Sequence, residues 1–237
     1  MKTDHIIQLI ASERKLVQAR AGKHNFINRM GQALRSVGCQ LEFVPRTPAS
    51  LLLAGDQGHR AVLSMEEPDN DRVLNMRKAY IGAFWRIETT NKRWEFRVAK
   101  SRFPLQDVDA TAATDFANQW RKRAFDTTLA DTRRDGFVLV ALQGRLLRRR
   151  SFQQLSPIDM IEAVLGHEPR RKLLLSLHPG ERYSAEELAA VQQLCDRQPR
   201  LHCVSGLSLK YLPYCDYVVT ENSSVAFSGY FFHKPAV

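Results

Sequence analysis

The sequence predicts an α/β protein built on parallel sheets, and three observations carry that expectation. From Gly136 onward short apolar runs alternate with amphipathic stretches, as strands alternate with helices in a doubly wound sheet. The starts of those amphipathic stretches carry helix-capping residues. The chain is 237 residues long, enough for one large domain or two of ordinary size. Two domains are expected, residues 1–130 and 131–237. The polar "DTRRDG" (131–136) is read as the linker, and a cleft is expected near 127–136. The second domain stops at Val237 inside a strand.

In chain order, "HIIQLI" (5–10) reads as a strand whose charged continuation leaves helix open. "HNFINRMGQALRSVG" (24–38) places Phe26, Ile27, Met30, Ala33, Leu34 and Val37 on one helical stripe, and Gly38 stops it. "CQLEFV" (39–44) alternates as a strand and Pro45 closes it. "HRAVLSM" (59–65) is another strand. Residues 70–104 are expected to be helical in parts, with Trp85, Trp94 and Phe96 packing inward. "DATAATDFANQWRKRAF" (109–125) is a helix.

The second half is cleaner. "GFVLVALQ" (136–143) is a buried strand. "SPIDMIEAVLGHE" (156–168) is a helix with Ser156 as N-cap and Pro157 in its first turn. "KLLLSLHP" (172–179) is a strand, and "SAEELAAVQQLCDRQ" (184–198) a helix opened by a Ser184–Glu187 capping box. "LHCVSG" (201–206) and "DYVVT" (216–220) are strands, "LKYLPYC" (209–215) is a helical turn, and "SSVAFSGYFF" (223–232) is a helix. "KPAV" begins one more strand. Ending there, the chain is expected to leave Phe231 and Phe232 without cover.

Composition narrows the class. Hydrophobic content of 44% and charge content of 25% are ordinary for a globular protein. No apolar run reaches the roughly 18 residues of a membrane span, and the first residues lack the pattern of a signal peptide. The expected location is cytoplasmic. The four cysteines, Cys39, Cys195, Cys203 and Cys215, form no Cys-x-x-Cys pair, so reduced thiols are expected and zinc is not. A net charge of +10 suits an anionic partner, with the basic residues gathered in 91–102, 120–123, 145–150 and 169–172.

Three strand ends carry the candidate chemistry. In "DYVVTENSSVAF" (216–227) an apolar strand gives way to Thr220, Glu221, Asn222, Ser223 and Ser224, then to a helix start. Backbone N–H groups and hydroxyls there suit a phosphate, though one serine also serves as a plain N-cap. In "LSLHPGERYS" (175–184), His178 and Pro179 leave a strand, Gly180 turns, and Glu181 can accept from ribose hydroxyls. In "VALQGRLL" (139–147), Gln143 and Arg145 reach the same rim, and Arg145 can pair with an anion bidentately. Ligands of such sheets sit at the carboxyl ends of the strands.

"SLHPGE" followed by "CDYVVTENSSVAFSGYFFHKPAV" resembles the nucleotide-binding half of GT-B glycosyltransferases. The likeness is to bacterial capsule and lipopolysaccharide sugar transferases, including the Kdo- and sialyltransferase-like groups, which carry His-Pro and Ser-Ser motifs. It covers 136–237 strongly and the earlier part weakly. The resemblance implies two Rossmann-like domains in a GT-B-like arrangement, a nucleotide-sugar donor held by His178, Pro179, Ser223 and Ser224, and no metal or other cofactor. It implies a polysaccharide or lipopolysaccharide acceptor, an anionic glycan or a lipid-linked chain. The basic surface fits work at the anionic inner membrane, and no specific nucleic acid is expected. Because such domains usually continue past "KPAV", this chain is expected to bind nucleotide better than it turns over.

No catalytic motif of the family matches. An inverting transferase needs a base within reach of the acceptor hydroxyl, and His24, Glu66 and Glu67 are the candidates, each with a capping or solvated alternative. Asp69 and Asp71 in "PDND" have the spacing of a metal site but read more simply as a turn with a helix cap. "AFWRIETTNKRWEFRVAK" (83–100) interleaves aromatics with cations, as a stacking surface does, or as an amphipathic helix does. A nonenzymatic basic module that binds nucleotides or nucleic acid, and a nucleotide-sugar epimerase of the same fold, are the alternative functions.

Overall fold

The computed structural model describes residues 5–56, 59–82, 84–126 and 131–237. Two compact units emerge, Met1–Leu105 and Gln106–Val237. Each has its own sheet and its own apolar core.

In the first unit the order is β1 (His5–Ala11), α1 (Glu13–Arg20), α2 (Asn25–Ser36), β2 (Cys39–Pro45), α3 (Pro48–Leu52), β3 (Arg60–Ser64), β4 (Val73–Lys78), β5 (Trp85–Glu88) and α4 (Arg97–Lys100). The sheet order is β2-β1-β3-β4-β5. The first four strands are parallel, and β5 runs antiparallel to β4. β1 is a strand because its apolar residues bury progressively toward its carboxyl end, where Leu9, Ile10 and Ala11 are almost fully enclosed. The stripe read from 24–38 faces the sheet through Ile27, with Phe26 and Met30 packed beside it.

The segment 70–104 departs from expectation. It holds two strands, a 3-10 turn and one helical turn rather than an amphipathic helix. Trp94, expected to pack inward, is more than half exposed, whereas Phe96 is buried. Local spacing was outweighed here by sheet pairing, since β4 and β5 extend a sheet already begun. Neither Asp69 nor Asp71 caps a helix. Asn70 holds the turn, donating to the Ala54 carbonyl and accepting from Arg72 N–H, and a strand follows.

The second unit begins before the expected linker. α5 (Ala110–Phe125), N-capped by Asp109, belongs to it. Then come β6 (Phe137–Ala141), α6 (Pro157–His167), β7 (Lys172–Leu177), α7 (Ala185–Arg197), β8 (Leu201–Ser205), α8 (Ser208–Tyr211), β9 (Tyr217–Val219) and α9 (Ser224–Tyr230). The sheet order is β8-β7-β6-β9, parallel throughout. Both read-ahead capping features are present: Ser156 with Pro157 behind it, and the Ser184–Glu187 box. Residues 127–130, the first part of the expected cleft region, lie outside the described residues.

The expectation of bare phenylalanines is overturned. Phe231 and Phe232 are 9% and 1% exposed. α5 covers them: the Phe125 ring meets Phe232 edge-on at 5.0 Å, and Phe116 and Trp120 lie beside Phe231. Arg121, itself buried, donates to the Phe231 carbonyl. The last residues pair with β9, Val218 N–H donating to the Pro235 carbonyl and Val237 N–H to that of Val218.

Candidate functional site

In the second sheet the chain leaves β6 to lay β7 and β8 on one side, then returns to lay β9 on the other. The strand order thus reverses between β6 and β9, and ligands of open parallel sheets sit at the carboxyl ends near such a point. The three strand ends singled out from the sequence belong to β6, β7 and β9, which are adjacent.

His178 is exposed and its ring is oriented from below. Its backbone N–H donates to Tyr183 Oη at 2.8 Å, and its Nδ1 accepts from Gly180 N–H at 3.1 Å. An accepting Nδ1 carries no proton, so the neutral ring bears its hydrogen on Nε2. That makes Nε2–H a donor on an exposed side chain. Pro179 packs against Gly206, where an added Cβ would come within 3.2 Å of the proline ring and φ is +70°.

Glu181 is ion-paired with Arg150 at 3.2 Å and lies over Gly144. A Cβ at Gly144 would fall 2.5 Å from Glu181 Oε2, so a larger residue there would push the carboxylate from its present seat. Arg145 is exposed and adopts a left-handed backbone, φ 65°. A cavity of about 670 Å³ opens here, lined by Arg145, Arg150, Phe152, Gly180, Glu181 and Arg182. Three guanidiniums around one carboxylate leave a net positive surface suited to phosphate oxygens. Arg150 and Arg182 were not among the sequence candidates. Nothing in the order of residues says that the chain after β6 folds back to bring Arg150 against Glu181.

The β9 end is used more for structure. Thr220 Oγ1 donates to the Ala141 carbonyl and accepts from Ser223 N–H. Asn222 Nδ2 donates to Gln143 Oε1 at 2.6 Å, and Asn222 Oδ1 accepts from Gln153 Nε2. Glu221 accepts from the N–H groups of Gln154 and Leu155. These bonds link the β6 and β9 ends and hold the 150–155 loop. Ser223 is 6% exposed and caps α9 by accepting from Val225 N–H. Ser224, next in line, is partly exposed and is not the capping hydroxyl. A second cavity, about 720 Å³, lies mainly between α6 and β9, lined by apolar side chains such as Met160, Val164 and Val219 and by Glu168, Arg171 and Asp216 of the amino end, and meets the rim at Leu155, Thr220 and Glu221.

At the opposite, amino end of this sheet the polar groups close on one another. Glu168 accepts from Arg171 Nη1 at 2.6 Å, from the N–H groups of Arg170 and Arg171, and from Tyr217 Oη. Burial pushes its carboxyl up, but these hydrogen bonds, Arg171 foremost, outweigh burial and hold it down at about 2. Arg171 Nε also meets Asp216, which accepts from Gly136 N–H.

In the first unit the three base candidates stand near the carboxyl end of the sheet. His24 N-caps α2, its Nδ1 accepting from Ile27 N–H, so the proton of the neutral ring again sits on Nε2. Burial, then the neighbouring Lys15 and Lys78, hold its pKa below the ordinary value. Glu66 pairs with Arg46. Glu67 accepts from Thr90 Oγ1 at 2.8 Å and from Asn91 N–H at 2.7 Å. Among the described residues, no group of three or more His, Cys, Asp or Glu side chains is gathered to hold a metal ion. No helix among them is long and apolar enough to cross a membrane.

No protein-family model matches the chain. No curated protein matches it either. Among solved structures the chain is similar to KpsC of Thermosulfurimonas dismutans, a beta Kdo 2,7 transferase, with a TM-score of 0.52 and 15% identity. The match covers 98% of this chain and 78% of that one. It shows the fold: an α/β, GT-B-like pair of Rossmann-like units with parallel sheets. A cytoplasmic domain of a prokaryotic cation chloride cotransporter matches at 11% identity over 98% of this chain and 92% of that one. Its TM-score of 0.23 is too low to carry an argument.

Proposed function

We propose that the chain is a GT-B-type glycosyltransferase that moves a sugar from a nucleotide-activated donor to a polysaccharide or lipopolysaccharide acceptor. The observation that carries this reading is the positive cavity at the β6–β7 strand ends, with the exposed His178 two residues before Gly180 of its wall and its neutral ring left to donate from Nε2. Arg145, Arg150 and Arg182 take the donor diphosphate or monophosphate, His178 donates to a phosphate or ribose oxygen, and Ser224 adds a hydroxyl. Pro179 and Gly180 shape the histidine turn. Gln143, Glu181, Glu221, Asn222 and Ser223 act behind them, fixing loops rather than touching nucleotide. The fold likeness to a Kdo transferase supports the class.

The leaving phosphate is stabilised in this reading by guanidiniums already in place, so no divalent metal or other cofactor is assigned. Deprotonation of the acceptor falls to Glu66, Glu67 or His24. Of these, Glu66 is tied only by one partly exposed arginine, whereas His24 first has to give up its cap to offer Nδ1. The basic surface suits an anionic glycan, a lipid-linked acceptor or the anionic inner membrane from the cytoplasmic side.

The experiment is thermal shift and calorimetry with CMP, UDP and GDP, set against a short oligonucleotide. A ligand at 100 times its Kd stabilises by about 2.7 kcal/mol. Stabilisation by one nucleotide is expected, weakened by ~1.5–3 kcal/mol in His178→Ala. Response to any oligonucleotide, lost with salt, together with no response to nucleotides, favours the nonenzymatic module instead.

A further inference from the structure

The two sheets present edges of different kinds. In the first unit β2 carries Glu42 and closes on Pro45, and β5 is half charged, with Arg86 and Glu88. On one side of the second sheet the last residues, Pro235 among them, lie along β9. Charge and proline are devices that keep an edge strand from pairing with another chain. β8, the outer strand on the other side, has neither. Its sequence, Leu-His-Cys-Val-Ser, holds no acid, no lysine or arginine and no proline, and His202, Cys203 and Ser205 are exposed.

The pairing of β8 with β7 fixes which of its backbone groups are spare. Leu173 N–H donates to the Arg200 carbonyl, and Gly206 N–H donates to that of Leu177. Residues 200 and 206 therefore turn their peptide groups toward β7, and the two-residue period of a strand turns 202 and 204 the same way. Leu201, Cys203 and Ser205 turn theirs outward. Leu201 N–H is used, donating to the Gln198 carbonyl. Among the described residues the Leu201 carbonyl, and the N–H and carbonyl of Cys203 and of Ser205, meet no partner. Cys203 stands at the centre of that run.

We infer that β8 pairs antiparallel with β8 of a second copy of this chain, about a two-fold axis at Cys203. The spare groups are self-complementary, as an isologous contact requires. Cys203 exchanges both of its backbone bonds with Cys203 of the second copy, and at each end Ser205 N–H donates to the Leu201 carbonyl. Side chains then fall opposite one another as Cys203 with Cys203, His202 with Val204 and Leu201 with Ser205, so no like-charged Lys, Arg, Asp or Glu pair is created. Arg200 falls opposite Gly206, and its guanidinium is already turned back onto the carbonyls of Glu168 and Arg171. Leu207 and Leu209, just past the strand, are 37% and 53% exposed and add apolar surface. A contact built on one short strand is small beside the ~1,000 Å² of a lasting interface, so the dimer is a reversible one. The pairing goes beyond the nucleotide reading and uses none of the residues assigned there.

The test is sedimentation velocity on the full chain in reducing buffer, loaded from micromolar to millimolar. A monomer–dimer equilibrium that moves with concentration is expected, and a monomer at every concentration overturns the inference. Cys203→Lys sets two like charges opposite each other, and Cys203→Pro removes an N–H that the chain's own sheet does not use. Each is expected to weaken the dimer at least tenfold while urea unfolding shows an intact fold, and either one decides if the other fails to fold. Unchanged dimerisation in a folded variant overturns the inference. Crosslinking by diamide then reads the register. Hydrogen-bonded antiparallel partners stand about 5.5 Å apart at Cα, within the ~4.4–6.8 Å that a disulfide spans. Two Cys203 thiols give two electrons and two protons to the N=N bond of diamide and join as a disulfide. Desolvation pushes the Cys203 thiol up to about 11, so the reaction is run in alkaline buffer, where more thiolate is present. A covalent dimer is expected from the unmodified chain and not from Cys203→Ser, which still self-associates through its backbone. Crosslinks that persist in Cys203→Ser, through Cys39, Cys195 or Cys215, or no crosslink in the unmodified chain, overturn the inference.

Discussion

The two ends of the second sheet use the same residue types to opposite purposes. At the amino end, Glu168, Arg171, Asp216 and Tyr217 satisfy one another. At the carboxyl end, His178 is exposed with Nε2–H as its spare donor, and Arg145 stays exposed in a strained backbone. Polar density alone does not distinguish them. Spare bonding capacity does: a closed network stabilises the fold, and an open one waits for a ligand. The same criterion separates adjacent residues, Ser223 being spent on a helix cap while Ser224 is not.

The sharpest way to test the closed half is to open its apolar side. Phe232 is 1% exposed and meets Phe125 of α5 edge-on. Phe232→Ala is expected to cost about 3–5 kcal/mol, the transfer loss plus the cavity left behind. Urea unfolding followed by circular dichroism measures it. A loss under 1 kcal/mol means α5 does not seal α9, and the second unit then begins after the helix, nearer the boundary expected at 131.

The next effect is on the closed polar network. Glu168 titrates at about 2 in the folded protein against an ordinary 4.5. A depressed carboxyl contributes stability that is fully present above its unfolded value and is lost as pH falls through the folded one. The contribution of Glu168 therefore fades between about 4.5 and 2. Glu168→Gln is expected to cost ~1.5–3 kcal/mol at pH 7 and to flatten the stability profile in that acid window. If wild type and variant lose stability in parallel from pH 5 to 2, the network is not what holds this end together.

What could be read from residue order was mostly what is local. The Ser156 and Ser184 caps, the strands from 136 onward and the helix at 109–125 all declare themselves within a few residues. Their neighbours in sequence are their neighbours in space. The position of His178 at a strand end followed from the same local reading. The rest depended on distant contacts. Whether 70–104 would be helix or sheet was settled by β4 finding β3. That Arg150 would meet Glu181 required a loop to turn back. That the helix at 109–125 would join the second unit required Phe231, more than a hundred residues on, to lie beneath Arg121.

The smallest expected effect is also the most selective. Ser223 accepts from Val225 N–H and is buried, so Ser223→Ala removes a helix cap and is expected to cost about 0.5–2 kcal/mol of stability. Ser224 is partly exposed and its side chain holds no such place, so Ser224→Ala is expected to change stability by less than about 0.5 kcal/mol. If Ser224 donates to the donor phosphate, its loss weakens nucleotide binding by about 0.5–1.5 kcal/mol, roughly twofold to thirteenfold. Urea unfolding and calorimetry with the responsive nucleotide, run on both variants, separate the two serines. The pattern expected is stability lost without intrinsic affinity in one, and affinity lost without stability in the other. Should Ser223→Ala weaken binding while the fold stays intact, the capping hydroxyl is the one that reaches the ligand, and spare bonding capacity is the wrong guide to this rim.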